Sequence, residues 1–135
     1  MGKTFDLKIV SSDRDFFEGK ADMIILPAID GSHGVMAEHE SMVTAIQAGE
    51  VRFQSNGEWK TAALGDGFAE IMPDYVVVVA DTAEWPEEID VNRAEEARER
   101  AEERLRTKQA LIEYHYTKAA LSRAMTRLKV TKKVR

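Results

Sequence analysis

The sequence predicts an α+β protein, with a β domain over residues 1–86 and a helical segment over residues 87–135. Three observations support this division. All eight glycines and all three prolines precede residue 87, so the signals for turns are confined to the first part. In that part apolar residues alternate with polar ones in several short runs. In the second part they recur every three or four residues, which is the period of a helix.

The beginning of the chain has the alternation of β-strands. Residues 5–10, FDLKIV, place apolar side chains at every second position. Residues 16–28, FFEGKADMIILPA, predict a strand that ends in a buried apolar run before Pro27. Both runs are short enough for strands of a compact β domain.

Two turns organise the remainder of the β domain. Asn56-Gly57 separates two strand-like runs and is the strongest short-range signal of a β-hairpin. Two further strands turn at Pro73-Asp74, and the second of them, residues 76–80, is apolar on both faces, which predicts that both faces are covered. Short strands with turns about every 8–12 residues are typical of a sandwich or a barrel.

The second part begins with a helix signal at Asp90, a good N-cap residue. A narrow stripe of small residues follows at helical spacing: Ala94, Ala97, Ala101 and Leu105. A second stripe is larger: Leu111, Tyr114, Leu121, Met125 and Leu128. A single helix through both would be about 60 Å long, and alanines permit close helix packing, so a hairpin with its turn at residues 106–109 is attractive. Those residues contain neither Gly nor Pro, so a continuous helix stays open.

The charge is divided unevenly along the chain. Residues 1–86 carry 6 basic and 15 acidic side chains, residues 87–106 carry 5 and 8, and residues 107–135 carry 8 and 1. The basic tail, with a net charge of +7, predicts an acidic partner, which the acidic first part could itself supply. The tail lacks aromatic residues on its basic face, so we do not expect a nucleic-acid-binding protein.

Several classes of protein are disfavoured by what the sequence lacks. It contains no cysteine, hence no disulfide and no thiolate metal site. No apolar run approaches the roughly 20 residues of a membrane span, and the first residues do not resemble a secretory signal. We therefore expect a soluble intracellular protein without direct membrane insertion.

Four arginines form the most informative constellation. Arg93 and Arg100 share one helix face, Arg123 and Arg127 share another, and a hairpin would bring the two pairs level. Converging guanidinium groups require an anion, and phosphate fits their geometry. An anion would also offset the poor position of Arg93, a cation in the first turn of a helix.

Two acidic residues accompany this constellation. Asp90 and Glu84 lie where they could accept hydrogen bonds from a base amine or sugar hydroxyls, or orient the arginines. The alternative interpretation is that the arginines only form surface pairs, such as Arg93–Glu96 and Glu96–Arg100, which contribute little to stability.

Other motifs predict no chemistry. His33 and His39 lack a recognised metal-ligand spacing and are interpreted as polar loop residues. The sequence GDG at residues 65–67 is a turn, because no Gly-Lys-Ser/Thr follows it. No nucleophile elbow or catalytic triad is present. We expect neither a metal site nor catalysis by this chain.

The chain resembles the epsilon subunit of bacterial F-type ATP synthase over essentially its full length. In the first part the similar segments are LPAIDGSHGVMAEHESMVTAIQAGEVRF and GDGFAEIMPDYVVVVADTAE. In the second part IDVNRA, residues 89–94, is similar to the I/L-D-x-x-R-A motif of the epsilon subunits that bind ATP. The segments EHES and SHG depart from the family's more usual loop sequences, at the sandwich surface. The resemblance implies ATP-binding residues at these positions: Glu84, Ile89, Asp90, Arg93, Ala94, Arg100, Arg123 and Arg127.

The resemblance also implies a fold and a role. The fold is an N-terminal antiparallel β-sandwich, residues 1–86, followed by a C-terminal two-helix hairpin, residues 87–135. The sandwich would dock on the gamma subunit and the c-ring, at the cytoplasmic face of the cell membrane. ATP, as a regulatory ligand, would hold the hairpin folded. At low ATP the hairpin would extend into the catalytic alpha3beta3 hexamer, where its basic second helix would help to inhibit hydrolysis.

Two rival functions remain at this stage. One is a constitutive stalk subunit whose hairpin does not respond to nucleotide. The other is a stand-alone hydrolase or kinase-like enzyme, which requires a pair of carboxylates that ligate Mg²⁺, and the sequence offers no convincing pair.

Overall fold

The computed structural model describes residues 3–106 and 111–134. The chain forms two compact units, Met1–Trp85 and Pro86–Arg135. The first contains all the strands and the second contains the helices. A β unit followed by a helical unit confirms the predicted α+β class.

The first unit is a ten-stranded sheet. Along its main path the strand order is β10-β7-β6-β3-β5-β8-β9-β1-β2, and β4 pairs with β3 beside this path. The strands are β1 (Phe5–Ser11), β2 (Asp15–Ala21), β3 (Met23–Ala28), β4 (Gly31–Met36), β5 (Met42–Ile46), β6 (Gly49–Ser55), β7 (Glu58–Leu64), β8 (Gly67–Ile71), β9 (Tyr75–Ala80) and β10 (Ala83–Glu84).

The sheet folds over on itself around one apolar core. Strand β1 buries alternate residues, as its sequence predicts, and the largest fully buried side chains of the unit include Phe5, Leu7 and Phe53. Strand β2 closes onto β6, where the rings of Phe17 and Phe53 lie 4.6 Å apart. Ser55 Oγ also donates a hydrogen bond to the Lys20 carbonyl at 2.6 Å. The result is the predicted sandwich, with a barrel-like closure.

The predicted β6–β7 hairpin is confirmed. Asn56 and Gly57 both have positive φ angles, 54° and 79°, and Ser55 pairs with Glu58 across the turn. A two-residue turn with positive φ at both positions matches the right-handed twist of the flanking strands. The two strands then run in continuous antiparallel register to Gly49 and Leu64.

Three details differ from the sequence predictions. Residues 16–28 form parts of two strands, β2 and β3, and Pro27 lies within β3 instead of ending it. Strand β1 pairs with β9 in parallel, whereas the other strand pairs described are antiparallel. The outer face of β9 is half-buried, not fully covered, since only alternate residues are buried. The strand bounds, the direction of pairing and the burial of β9 all depend on contacts with segments distant in the chain, which local patterns do not encode.

The second unit starts with a 3₁₀ turn, Pro86–Glu88, followed by α1 (Val91–Arg106) and α2 (Leu111–Val134). The two helices pack against each other, and α2 also packs against the 3₁₀ turn that precedes α1. Since only four residues separate α1 from α2, this packing requires the helices to run antiparallel. The predicted helical hairpin is therefore confirmed, although most of the turn predicted at residues 106–109 lies outside the described residues.

Small residues line the contact between the helices. Ala94 and Ala101 of α1 are buried, as are Ala124 and Leu128 of α2. The predicted α2 stripe was wrong at Met125, which is 50% exposed, because Ala124, one residue earlier, is buried in its place. Leu128 of the same stripe is buried as predicted. Leu105, Leu111 and Tyr114 of the predicted stripes lie outside the described side chains. None of the described helices is long and apolar enough to cross a membrane.

Candidate nucleotide-binding site

Asp90 determines how α1 begins. Its Oδ1 accepts a hydrogen bond from the Arg93 backbone N–H at 3.1 Å, and its carbonyl accepts one from the Ala94 N–H at 3.0 Å. These are the two bonds of an N-cap residue, so the predicted cap is confirmed. The first turn of α1 contains no acidic residue. The positive end of the helix dipole therefore lies beside the positive charge of Arg93, and no acidic side chain of the first turn offsets either.

The arginines lie on one flank of each helix. A helix turns by about 100° per residue, and the buried alanines mark the side of α1 that faces α2. Relative to Ala94, Arg93 and Arg100 lie on the same flank of α1, and both are exposed. Relative to Ala124, the exposed Arg123 and the half-buried Arg127 lie on the corresponding flank of α2. In an antiparallel pair these two flanks border the same face of the hairpin.

The helix bounds give the level of each residue along the hairpin. Arg93 lies 13 residues before the end of α1 and Arg123 lies 12 residues after the start of α2, so the two are nearly level. Asp90 and Arg127 lie at a level about one turn further from the connection between the helices. Arg100 lies roughly 9–11 Å nearer to that connection than Arg123 and Arg93 do. Helix geometry thus places Arg93, Arg123 and Arg127 within about one turn of the same level near the α1 N-terminus, with Arg100 further along the same face.

The surface pairs of the alternative interpretation, Arg93–Glu96 and Glu96–Arg100, do not form. Within the described part of the chain, no carboxylate pairs with Arg93, Arg100 or Arg123. The acidic residues of α1 are used elsewhere, since Glu95 and Glu102 form ion pairs with Arg98 on the opposite flank. Three cations that have no neutralising carboxylate among the described residues, Arg93, Arg100 and Arg123, attract anions.

Sequence reasoning missed this Arg98 pairing. The Arg98–Glu102 ion pair spans 3.6 Å. The hydrogen bond that Arg98 Nη2 donates to Glu95 is the main cause that raises the pKa of the Arg98 guanidinium. The signal was present in the sequence as spacings of three and four residues around Arg98. Arg104, eleven residues after Arg93 and hence three turns along, also joins the arginine flank of α1.

The other predicted site residues have different surroundings. Ile89 and Ala94 are buried, 5% and 4% exposed, and serve to pack the start of the hairpin. The Ile89 N–H donates to the Pro86 carbonyl at 3.2 Å. Glu84 belongs to the sandwich unit, where it pairs with Ala63 in the β10–β7 ladder.

The arrangement of the hairpin suits a polyphosphate. Arginines of both helices lie on one face of the hairpin, close to the N-terminal end of α1, and guanidinium forks match phosphate oxygens. Among the side chains that the structure describes, no cluster of three or more metal-ligating residues is present.

Comparison with known proteins places this chain among ATP synthase subunits. The family model "ATP synthase, Delta/Epsilon chain, beta-sandwich domain" matches residues 4–86, and "ATP synthase, Delta/Epsilon chain, long alpha-helix domain" matches residues 87–132. The chain belongs to the ATP synthase epsilon-chain family. It is 48% identical over 132 residues to the ATP synthase epsilon chain of Ruminiclostridium cellulolyticum, covering 98% of each chain. It is 43% identical to the epsilon chain of Caldanaerobacter subterraneus subsp. tengcongensis, covering 98% of this chain and 97% of the relative.

Solved structures share the epsilon-chain fold. A chain of the Euglena gracilis mitochondrial ATP synthase, in a structure of its OSCP/F1/c-ring in rotational state 1, superimposes with a TM-score of 0.82. The match covers 93% of this chain and 79% of the other at 21% identity. A central stalk/c-ring chain of the Tetrahymena thermophila enzyme gives a TM-score of 0.63 at 11% identity. At these identities the likeness concerns the fold alone.

Proposed function

We propose that this epsilon chain is a non-catalytic regulatory subunit whose helical hairpin senses ATP. In the complex it couples proton-driven rotation to ATP synthesis and restrains ATP hydrolysis. The observation that carries the proposal is the arginine face of the hairpin, where Arg93 and Arg123 are level on two helices and lack carboxylate partners among the described residues. Arg100, Arg127 and the cap at Asp90 complete the proposed site on this unit.

Ligands that touch both helices stabilise the packed hairpin. ATP bound across α1 and α2 interacts with the folded arrangement only, because separation of the helices divides its contacts. It therefore shifts the equilibrium by the difference between its affinities for the two states. When ATP falls below its dissociation constant, this stabilisation is lost. The role of Glu84 as a further ATP ligand stays a prediction.

The charge of the chain supports the proposed partners. The sandwich would dock on the gamma subunit and the c-ring, at the cytoplasmic face of the cell membrane and without insertion. Residues 107–135 carry a net charge of +7, which suits acidic surfaces of the catalytic hexamer when the hairpin extends.

Calorimetric titration of ATP into the full chain tests the proposal. We expect one ATP per chain and a dissociation constant raised at least about tenfold by R93A and by R123A, equivalent to about 1.4 kcal/mol. R98A is the matched control, since it removes the same charge from the opposite flank of α1 and should leave ATP affinity close to that of the wild type. The absence of saturable binding at millimolar ATP would contradict ATP sensing and leave a constitutive stalk subunit.

A further inference from the structure

The last residues of the sandwich are held by a regular set of contacts with the β1–β2 turn and the start of β2. Ser12 Oγ donates to the Asp81 carbonyl at 2.8 Å, and Arg14 Nη2 donates to the Ala83 carbonyl at 3.1 Å. Phe16 stacks on Trp85, with ring centroids 4.2 Å apart and planes inclined by 24°. Every second residue from 12 to 16 thus contacts every second residue from 81 to 85.

Ser12, Arg14 and Phe16, here called the clasp, reinforce one another. The Arg14 guanidinium lies 5.1 Å from the centroid of the Phe16 ring, so Phe16 packs against both Arg14 and Trp85. Phe16 is itself only 8% exposed. The turn is closed by the Ser11 N–H, which donates to the Arg14 carbonyl at 2.9 Å.

The opposite side of the same segment is held by the β7–β8 connection. The Asp81 N–H donates to the Asp66 carbonyl and the Gly65 N–H donates to the Thr82 carbonyl, both at 2.8 Å. Ala83 and Glu84 then pair with β7 as strand β10. Residues 81–85 are therefore fixed from two sides, and Trp85 also lies 6.2 Å from the buried Phe53 ring.

The contacts change partner after Trp85. Pro86–Glu88 forms a 3₁₀ turn that packs against α2, and the Ile89 N–H donates back to the Pro86 carbonyl at 3.2 Å. Residues from Pro86 onward are thus tied to the hairpin unit, and residues up to Trp85 are tied to the sandwich. Proline restricts φ, so rotation at this junction depends on few torsions.

We infer that the clasp is a fixed anchor, and that the hairpin rearranges by a pivot between Trp85 and Pro86 while residues 81–85 stay in the sheet. This inference rests on the proposed ATP-dependent rearrangement and specifies the position in the chain at which that rearrangement begins. The alternative is that β10 peels from β7 when the hairpin moves. In the first case residues 81–85 keep their hydrogen bonds when the hairpin moves. In the second case those hydrogen bonds must break.

A disulfide across the β10–β7 ladder separates these alternatives. The natural chain has no cysteine, so L64C/A83C introduces a single pair of thiols at residues that are register partners. The oxidised and reduced forms of one variant share the same substitutions, which removes their effect on folding from the comparison. The readout is inhibition of ATP hydrolysis by the assembled complex at low and at high ATP.

We expect oxidation of L64C/A83C to leave the ATP-dependent change in inhibition intact. A97C/A120C supplies the positive control, because these alanines lie nine residues from the facing ends of α1 and α2 and are level across the hairpin. Its oxidation should abolish the change. Loss of the response in oxidised L64C/A83C, with the reduced form still responsive, would overturn the anchor. No response in either reduced variant would instead contradict the proposed function.

If L64C/A83C fails to assemble, W59F gives an independent test, since Trp85 is then the only tryptophan of this chain, and a W59F/W85F complex supplies the background emission of the other subunits. Its emission in the assembled complex should be the same at low and high ATP, because its contacts with Phe16 and Phe53 persist. A shift of that emission between the two conditions would show that the anchor opens.

Discussion

The Asp90 carboxylate accepts a hydrogen bond from the Arg93 backbone N–H at 3.1 Å, so one of the residues proposed to bind ATP is already used to start a helix. The same bond fixes the backbone of the first turn of α1, which carries the Arg93 side chain. Asp90 therefore has a structural role that is independent of any ligand. Its effect on ATP binding needs to be separated from its effect on the helix.

D90A and D90N make that separation. Alanine cannot cap, so D90A should destabilise the start of α1 by about 1 kcal/mol, whereas asparagine caps as well as aspartate. Amide hydrogen exchange in the first turn of α1 should rise in D90A and stay near the wild-type value in D90N. If ATP affinity falls in D90N while the exchange is unchanged, the charge of Asp90 contributes to binding directly.

Mg²⁺ should weaken ATP binding to the isolated chain. The arginine face supplies positive charge, and the described residues contain no carboxylate cluster to hold a divalent cation. Mg²⁺ neutralises part of the charge of ATP and competes with guanidinium groups for its phosphate oxygens. Calorimetric titrations with excess Mg²⁺ and with a chelator measure the difference. Tighter binding with Mg²⁺ would show that the site contains metal ligands we have not identified.

Inhibition of hydrolysis in the assembled complex should be sensitive to salt. The basic segment, residues 107–135, is proposed to meet acidic surfaces, and screening shortens from about 10 Å at 0.1 M salt to about 3 Å at 1 M. Hydrolysis at low ATP, measured over this range, should therefore be progressively relieved of inhibition. A complex that lacks the hairpin serves as control for salt effects on the catalytic subunits. Salt-independent inhibition would indicate apolar contacts.

The Tyr75 phenol should ionise at a higher pH than an ordinary tyrosine does. Its hydroxyl donates to Glu70 Oε1 at 3.0 Å, and this bond, with burial and the charges of Glu70 and Asp74, raises the pKa of the phenol above 10.0. A raised pKa means that the stability from this bond is complete below pH 10 and is lost as the pH rises through the folded-state pKa. Phenolate absorbance, compared between the wild type and Y75F, isolates this group.

E70A removes the cause of the shift and is the matched variant for that titration. The Tyr75 phenol should then ionise at a lower pH than in the wild type. If the phenol of E70A ionises at the same high pH as in the wild type, burial and the Asp74 charge cause the shift, and the hydrogen bond does not.

Gly67 should tolerate no side chain. A Cβ atom at this position would meet the Val79 carbonyl oxygen at 1.9 Å and the Ala80 Cα at 2.7 Å, and both are backbone atoms of β9. G67A should lower the free energy of unfolding by at least about 2 kcal/mol. G57A is the control, because a Cβ there has open space and only the positive φ of 79° is strained, at about 1 kcal/mol. Equal costs in denaturant unfolding would contradict the close approach.

Features that depend on near neighbours in the chain were predicted correctly. The Asn56-Gly57 turn and the cap at Asp90 follow from backbone conformation within a few residues, which side-chain type controls directly. The helical hairpin followed from the resemblance to a family, whereas local signals left a continuous helix open. The shift of the α2 contact from Met125 to Ala124 was missed because both positions continue a helical period, and only the facing helix selects between them.

The sequence by itself determined that a β part precedes a helical part and that the arginines lie on helix faces, because these properties depend on spacing and local conformation. Only the tertiary structure decided that β1 runs parallel to β9, that Phe16 stacks on Trp85, and that Arg93 and Arg123 are level on one face. Each of these relationships joins residues distant in the chain. The packing of the whole unit determines these relationships, so a short segment of the sequence cannot specify them.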